Sequence, residues 1–464
     1  MAPHLETPLV HRAIRSPVGA VLTTRPYEWL KRRSLPREFR TFRVRAVADA
    51  TVDEGVDAFL DELGSDRVTG RDRLRSALDR HASRKRARDA LEARWESVFW
   101  DGGDQTLAER VALETDRREA SGRWARPTDL VRATPDVDDV APVGFDVPDP
   151  DDALADWEDR LDAPGAVYAA PESMPEVETS ATVPGPGTRE YWVRFPSPST
   201  AVDSPASAKV VEPDGRREER PTLLFVGGLG MQYDQVPYWP EEEYAGRELA
   251  SRGYRVVLPA SPWHGRRELP GRYSGEPYLA SPPVAFVELY AAQLQELAVL
   301  TAWARDRGAP VVGVGGFSLG GIATVLLVGF CGPWPDETTP DLAFPAGMTT
   351  RLDRVLVESD LTKLLGVRDA VRDAGWTPGR LANFAPLLTP PNDLGISPDR
   401  VFSFAGRRDR MAPYRDARDL LTRWGVPPQN RTEWDAGHFG TLLRLVRTSA
   451  FQDTVAAQFD WYAD

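Results

Sequence analysis

Cysteine is nearly absent from this sequence: a single residue, Cys331, stands in 464, so no intramolecular disulfide can form. A reducing, cytoplasmic setting is the expectation, and Cys331, after the apolar run ATVLLVGF, reads as a small buried hydrophobe. Lysine is also scarce: Lys31, Lys85, Lys209 and Lys363 are the only four, and arginine supplies the rest of the positive charge. Carboxylates outnumber both, and the net charge of -13 argues against a nucleic-acid partner, which needs a concentrated basic surface. The five histidines, His4, His11, His81, His264 and His438, are scattered, and neither HExxH nor paired-cysteine spacing occurs, so no metal site is expected. No unbroken apolar run approaches the roughly 20 residues that span a bilayer, and the first residues lack the apolar block of a secretory signal. Trp29, Leu30, Lys31, Arg32 and Arg33 form a short stretch able to touch an anionic membrane surface, although a solvated helix or extended arm is the plainer reading.

What is present is an ordinary globular composition, 41% hydrophobic and 27% charged, long enough for one large domain and an accessory region. Residues 1–50 read as an N-terminal arm and residues 51–135 as helical. Thr51 and Glu54 have capping-box spacing, and Val52, Val56, Phe59, Leu60 and Leu63 share one face before Gly64. A second helix is expected through Leu74 and Leu78, and a third through Leu91, Trp95, Val98 and Phe99. Residues 136–187, rich in proline and acid, read as a connector.

From residue 188 the rhythm changes to strands alternating with helices, the pattern of a mainly parallel sheet covered on both faces. REYWVRF and SAKVVE suggest an opening hairpin. PTLLFV, YRVVLP and APVVGVGG read as buried strands, and RVLVE (354–358), VFSFA (401–405) and RTEW (431–434) as later ones. Residues 361–399 interrupt the alternation, as either a lid or an insertion packed on the sheet edge.

The chemistry centres on Gly316, Phe317, Ser318, Leu319, Gly320 and Gly321, between an apolar strand and an apolar helix. In that context GxSxG is the strained turn that lifts a serine above a sheet and sets a helix N-terminus beneath it. A serine hydroxyl needs a base, and His438, in the expected loop DAGHFGT, is the only histidine that follows Ser318. A carboxylate to orient the histidine is expected from Asp409 in GRRDRMAP, with Asp360 as second choice and Asp435 as a turn residue. Backbone donors for an oxyanion are expected at Leu319 and, in the turn GGLG, at Leu229 with Gly228 beside it. The loop SPWHGRR also opens on the carboxyl edge of the sheet, so His264 and Arg266, together with Gly228 and Phe317, are candidate substrate contacts. A loop tied down by its own arginines is the competing reading.

Through GGLG, GFSLGG, GRRDRMAP and DAGH, in the order serine, acid, histidine, residues 187–464 resemble the α/β-hydrolase superfamily; more loosely, the chain is similar to its abhydrolase-18-like group. The resemblance implies an α/β-hydrolase fold and a serine hydrolase acting on small-molecule or lipid acyl esters without a cofactor. The histidine that often precedes the oxyanion-loop glycine in the superfamily is replaced here by Gly227. An oligopeptidase-like peptidase and a non-catalytic binding protein of the same fold are the alternatives.

Overall fold

The computed structural model describes residues 4–65, 70–215 and 219–463. Ten strands form one sheet: β1 (Glu178–Thr179), β2 (Val183–Gly185), β3 (Thr188–Phe195), β4 (Ala206–Pro213), β5 (Thr222–Val226), β6 (Arg255–Pro259), β7 (Val312–Phe317), β8 (Leu342–Ala346), β9 (Ser403–Gly406) and β10 (Arg431–Trp434). Their spatial order is β1-β3-β4-β6-β5-β7-β8-β9-β10, with β2 paired to β3. The expected hairpin is present: β3 and β4 pair antiparallel from Thr188 opposite Pro213 to Phe195 opposite Ala206. From β6 to β10 every pairing is parallel. Every residue of β5, β6, β7 and β8 is buried, which is why these strands read as unbroken apolar runs rather than alternating ones. The chain leaves β5 for β6 on one side and reaches β7 on the other, so the carboxyl ends of β5 and β7 flank a topological switch point, where open α/β sheets hold their ligands.

Several elements differ from expectation for identifiable reasons. RVLVE belongs to a helix, Leu352–Glu358, and the strand lies upstream in LAFPA, which is β8. Leu352, Val355 and Leu356 are buried at i, i+3 and i+4, a helical period that a β-branched run conceals. The N-terminal arm is helical: Leu9–Arg15, a 3-10 segment Pro17–Thr23, and a helix Arg25–Ala50 whose apolar stripe is diluted by buried Arg43 and Arg45. Thr51 makes no capping box; its hydroxyl donates to Val47 O at 2.9 Å, and the next helix starts at Val56 behind Gly55. The two helices expected around Leu74 and Trp95 are one, Arg71–Trp100. The expected helical stretch includes residues 66–69, which lie outside the described residues. Among the described residues one helix, Val284–Asp306, is long and apolar enough by length and composition to cross a membrane, but 83% of that window is buried inside the molecule.

The connector is ordered by the residues it buries. Tyr168 is fully enclosed and donates to Leu387 O at 2.6 Å, and the Trp376 indole donates to Pro148 O at 2.9 Å. Trp376, Phe384, Leu387 and Leu388 of the 361–399 segment are buried, and Phe384 packs against Trp157 of the connector.

The N-terminal helices are fixed to the sheet by buried ions. Arg118 pairs with Glu114 and with Glu242 (2.6 and 2.7 Å), and Lys209 bridges Glu190 and Glu242 at 2.6 Å each. Arg117 donates to Asp234 O at 2.5 Å, so the helix Leu107–Ala125 holds the segment that follows β5.

Candidate active site

β7 ends at Phe317 and the helix Leu319–Phe330 begins two residues later, leaving Ser318 alone in the turn with φ 57 and ψ -113. A non-glycine residue held at positive φ stores backbone strain and persists only where its surroundings enforce it. Here they do. The Ser318 amide donates to Ala346 O at 2.9 Å and the Gly320 amide to Gly227 O at 3.1 Å. The helix so nearly touches β5 that a Cβ on Gly320 would lie 2.0 Å from Val226 O, and one on Gly316 would lie 2.5 Å from Gly320 C. Because both obstacles are backbone, Gly320→Ala is expected to cost at least the ~1–3 kcal/mol of an overpacked core. A thermal melt unchanged by that substitution would contradict the tight turn.

The segments that follow the last two strands bring two more side chains to this turn. Asp409 follows β9 and His438 follows β10, whose Gly406 and Trp434 are paired in register. His438 is not in a loop as expected: it is the first residue of the helix His438–Arg447, where it shares a buried face with Thr441 and Leu445. Its Nε2 is 3.0 Å from Ser318 Oγ and its Nδ1 is 2.6 Å from Asp409 Oδ2. The other carboxylate oxygen, Oδ1, accepts from the Met411 and Ala412 amides at 2.9 and 3.0 Å, which fixes the plane of the carboxylate. Phe317 lies under the imidazole, ring centroids 4.9 Å apart. A serine on the strained turn after β7, with acid after β9 and histidine after β10, is decisive for the architecture. This is an α/β-hydrolase fold.

Among solved structures, the chain is similar to an acetyl xylan esterase from Paenibacillus sp. R4, at 14% identity and TM-score 0.45, covering 66% of this chain and 94% of that one. It is also similar to brefeldin A esterase, a bacterial homologue of human hormone-sensitive lipase (17%, TM-score 0.39, 69% and 89%). A third is the Pyrococcus horikoshii acylaminoacyl peptidase (15%, TM-score 0.41, 61% and 42%). No family model and no curated protein matches the chain.

Burial pulls the His438 imidazole toward the neutral form, but the Asp409 charge, its hydrogen bond and the Glu28 charge outweigh burial and hold the pKa above the usual histidine value. Glu28 was not foreseen. It lies on the helix Arg25–Ala50, and its carboxylate accepts from the Gly440 amide at 2.8 Å and the Phe439 amide at 3.4 Å, capping the helix that His438 begins. A Cβ at Gly437 would strike this carboxylate at 2.5 Å. A pairing across more than 400 residues leaves no local signal in the sequence. Glu28→Gln keeps an acceptor for the amides and removes the charge, so the imidazole pKa falls. A histidine must be neutral to act as a general base, so with His438 in that role the acid limb of kcat/KM is expected to move to lower pH; an unmoved limb would separate Glu28 from His438.

The turn after β5 reaches the same place. A Cβ on Gly228 would sit 3.6 Å from Ser318 Cβ, and Leu229 follows it in the chain. Leu319 is the first residue of its helix, where amides have no intrahelical acceptor. Two expected substrate contacts are corrected. His264 is fully buried, its Nδ1 donates to Pro262 O at 2.8 Å, and burial lowers its pKa to about 4, so it is neutral and shielded from any anionic substrate group. Arg266 stacks on Trp95, 4.2 Å from the ring centroid, and pairs with Asp234 (2.7 Å), Glu96 and Glu92, tying its loop to the N-terminal helices. Asp360 is taken by Arg32 and Arg410, and the exposed Asp435 by Arg25 and Arg408. Cys331 is buried, with its pKa raised to about 12 by that burial.

Proposed function

We propose that this protein is a carboxylic ester hydrolase that acts through an acyl-enzyme, with Ser318 as nucleophile, His438 as general base and Asp409 as the acid that orients it. The observation that carries this reading is the unbroken path from Ser318 Oγ to His438 Nε2 and from His438 Nδ1 to Asp409, set on a strained turn. Ser318 Oγ attacks the ester carbonyl while Nε2 takes its proton; the imidazolium then protonates the departing alcohol as the C–O bond breaks. Water repeats the sequence on the acyl-enzyme, giving up a proton to Nε2 and releasing the acid as Ser318 regains its own. The Leu319 and Leu229 amides are assigned to the oxyanion. Ester, water and three side chains supply every atom that moves.

A fluorophosphonate probe tests the reading directly. At a pH where His438 is neutral, the wild-type chain is expected to be labelled at Ser318 and Ser318→Ala to remain unlabelled. Absence of labelling in the wild type would leave a non-catalytic binding protein, and faster turnover of aminoacyl amides than of p-nitrophenyl esters would leave a peptidase.

A further inference from the structure

We infer that the first three helical elements, Leu9–Arg15, Pro17–Thr23 and the start of Arg25–Ala50, form a docking surface for an anionic lipid bilayer. Among the described residues eleven large hydrophobic side chains are exposed, and six of them, Leu9, Val10, Val18, Val21, Trp29 and Leu30, fall within this stretch. Val18 is 82% and Leu9 75% exposed. They are spread over two short elements and the first two turns of a long helix, which suits a fluid planar surface better than a shape-matched protein.

The charge of the stretch is opposite to that of the chain. From Leu9 to Arg33 there are six basic residues and one carboxylate in a protein of net charge -13, and that carboxylate, Glu28, faces the Gly440 amide. Arg15 and Lys31 pair with Glu248 and Glu38, while Arg12 and Arg33 have no carboxylate partner among the described residues. The Arg33 guanidinium lies 4.9 Å from the Trp29 ring centroid, an indole and a cation side by side as at a membrane interface. Beside Trp29 a cleft of about 250 Å³ is lined by Arg25, Arg32, Arg408 and Arg410. Asp435 is shared by Arg25 and Arg408 and Asp360 by Arg32 and Arg410, and Glu28 is the one carboxylate among the lining residues, so the four arginines keep an excess of positive charge for a lipid phosphate.

This surface is mounted on the catalytic apparatus. Arg447, at the end of the helix that His438 begins, donates to Ser16 O at 2.8 Å, and Glu28 caps the start of the same helix. Docking would bring that helix to the bilayer, and, resting on the ester-hydrolase reading, it assigns the substrate to acyl lipids presented there.

The test uses the full chain carrying Ser318→Ala and Val18→Cys, labelled at residue 18 with an environment-sensitive fluorophore; Cys331 is 1% exposed and out of the reagent's reach. Vesicles of phosphatidylcholine with phosphatidylglycerol are expected to shift the emission to the blue and to bind about tenfold more tightly than phosphatidylcholine alone, the difference fading at high salt. Leu9→Asp with Val21→Asp is expected to weaken binding about tenfold with a coincident thermal melt. No shift with the anionic vesicles overturns the inference, as does equal binding to both vesicle types. A shift that follows protein concentration alone, with doubled mass by light scattering, would assign the surface to a second copy of the chain instead. Because the nucleophile is absent, the result stands apart from whether the hydrolase reading survives.

Discussion

Ser318→Ala is expected to lower kcat for a soluble p-nitrophenyl ester by about a millionfold, the scale on which such nucleophiles are lost elsewhere. The imidazole and carboxylate would remain, but Nε2 would face a methyl group. Alanine carries the same backbone penalty as serine at φ 57, so the fold around the elbow should hold and the thermal melt should change little. Residual turnover would report the amides of Leu319 and Leu229 proposed for the oxyanion, a role that does not need the hydroxyl. Activity within tenfold of the wild type, with the melt unchanged, would remove Ser318 from the reaction.

Asp409→Asn should cost about 10⁴-fold in kcat, and the hydrogen-bond pattern says why. Oδ1 of Asp409 is held by the Met411 and Ala412 amides, so the asparagine carbonyl would take that place and its NH2 would face His438. An amide there donates to Nδ1, moving the imidazole proton to Nε2 and pointing an N–H at Ser318 Oγ, where an acceptor is needed. The pH profile carries an independent signature. Asp409 raises the His438 pKa by charge and by hydrogen bond, so its neutralisation should move the acid limb of kcat/KM downward, in the direction expected for Glu28→Gln. A profile that stays in place with kcat intact would mean that another carboxylate supports the histidine, and Asp360, engaged by Arg32 and Arg410, is poorly placed for that.

The sequence by itself determined most of the alternating strands and helices and the strand-turn-helix at Ser318, and it singled out as candidates His438 and Asp409, which the structure joins to Ser318 in one hydrogen-bonded chain. Those features are local: a buried parallel strand is a continuous apolar run, small residues must flank a turn of that strain, and few histidines compete. Tertiary structure alone decided that Arg266 serves the N-terminal helices, that His264 is enclosed and neutral, and that Glu28 caps the helix His438 begins. It also decided that RVLVE is helical and that residues 9–50 are helices mounted on the His438 helix. In each case the outcome depended on which distant partner an arginine, histidine or carboxylate meets, and a charged side chain's partner is set by the folded surface around it, not by its neighbours in the chain.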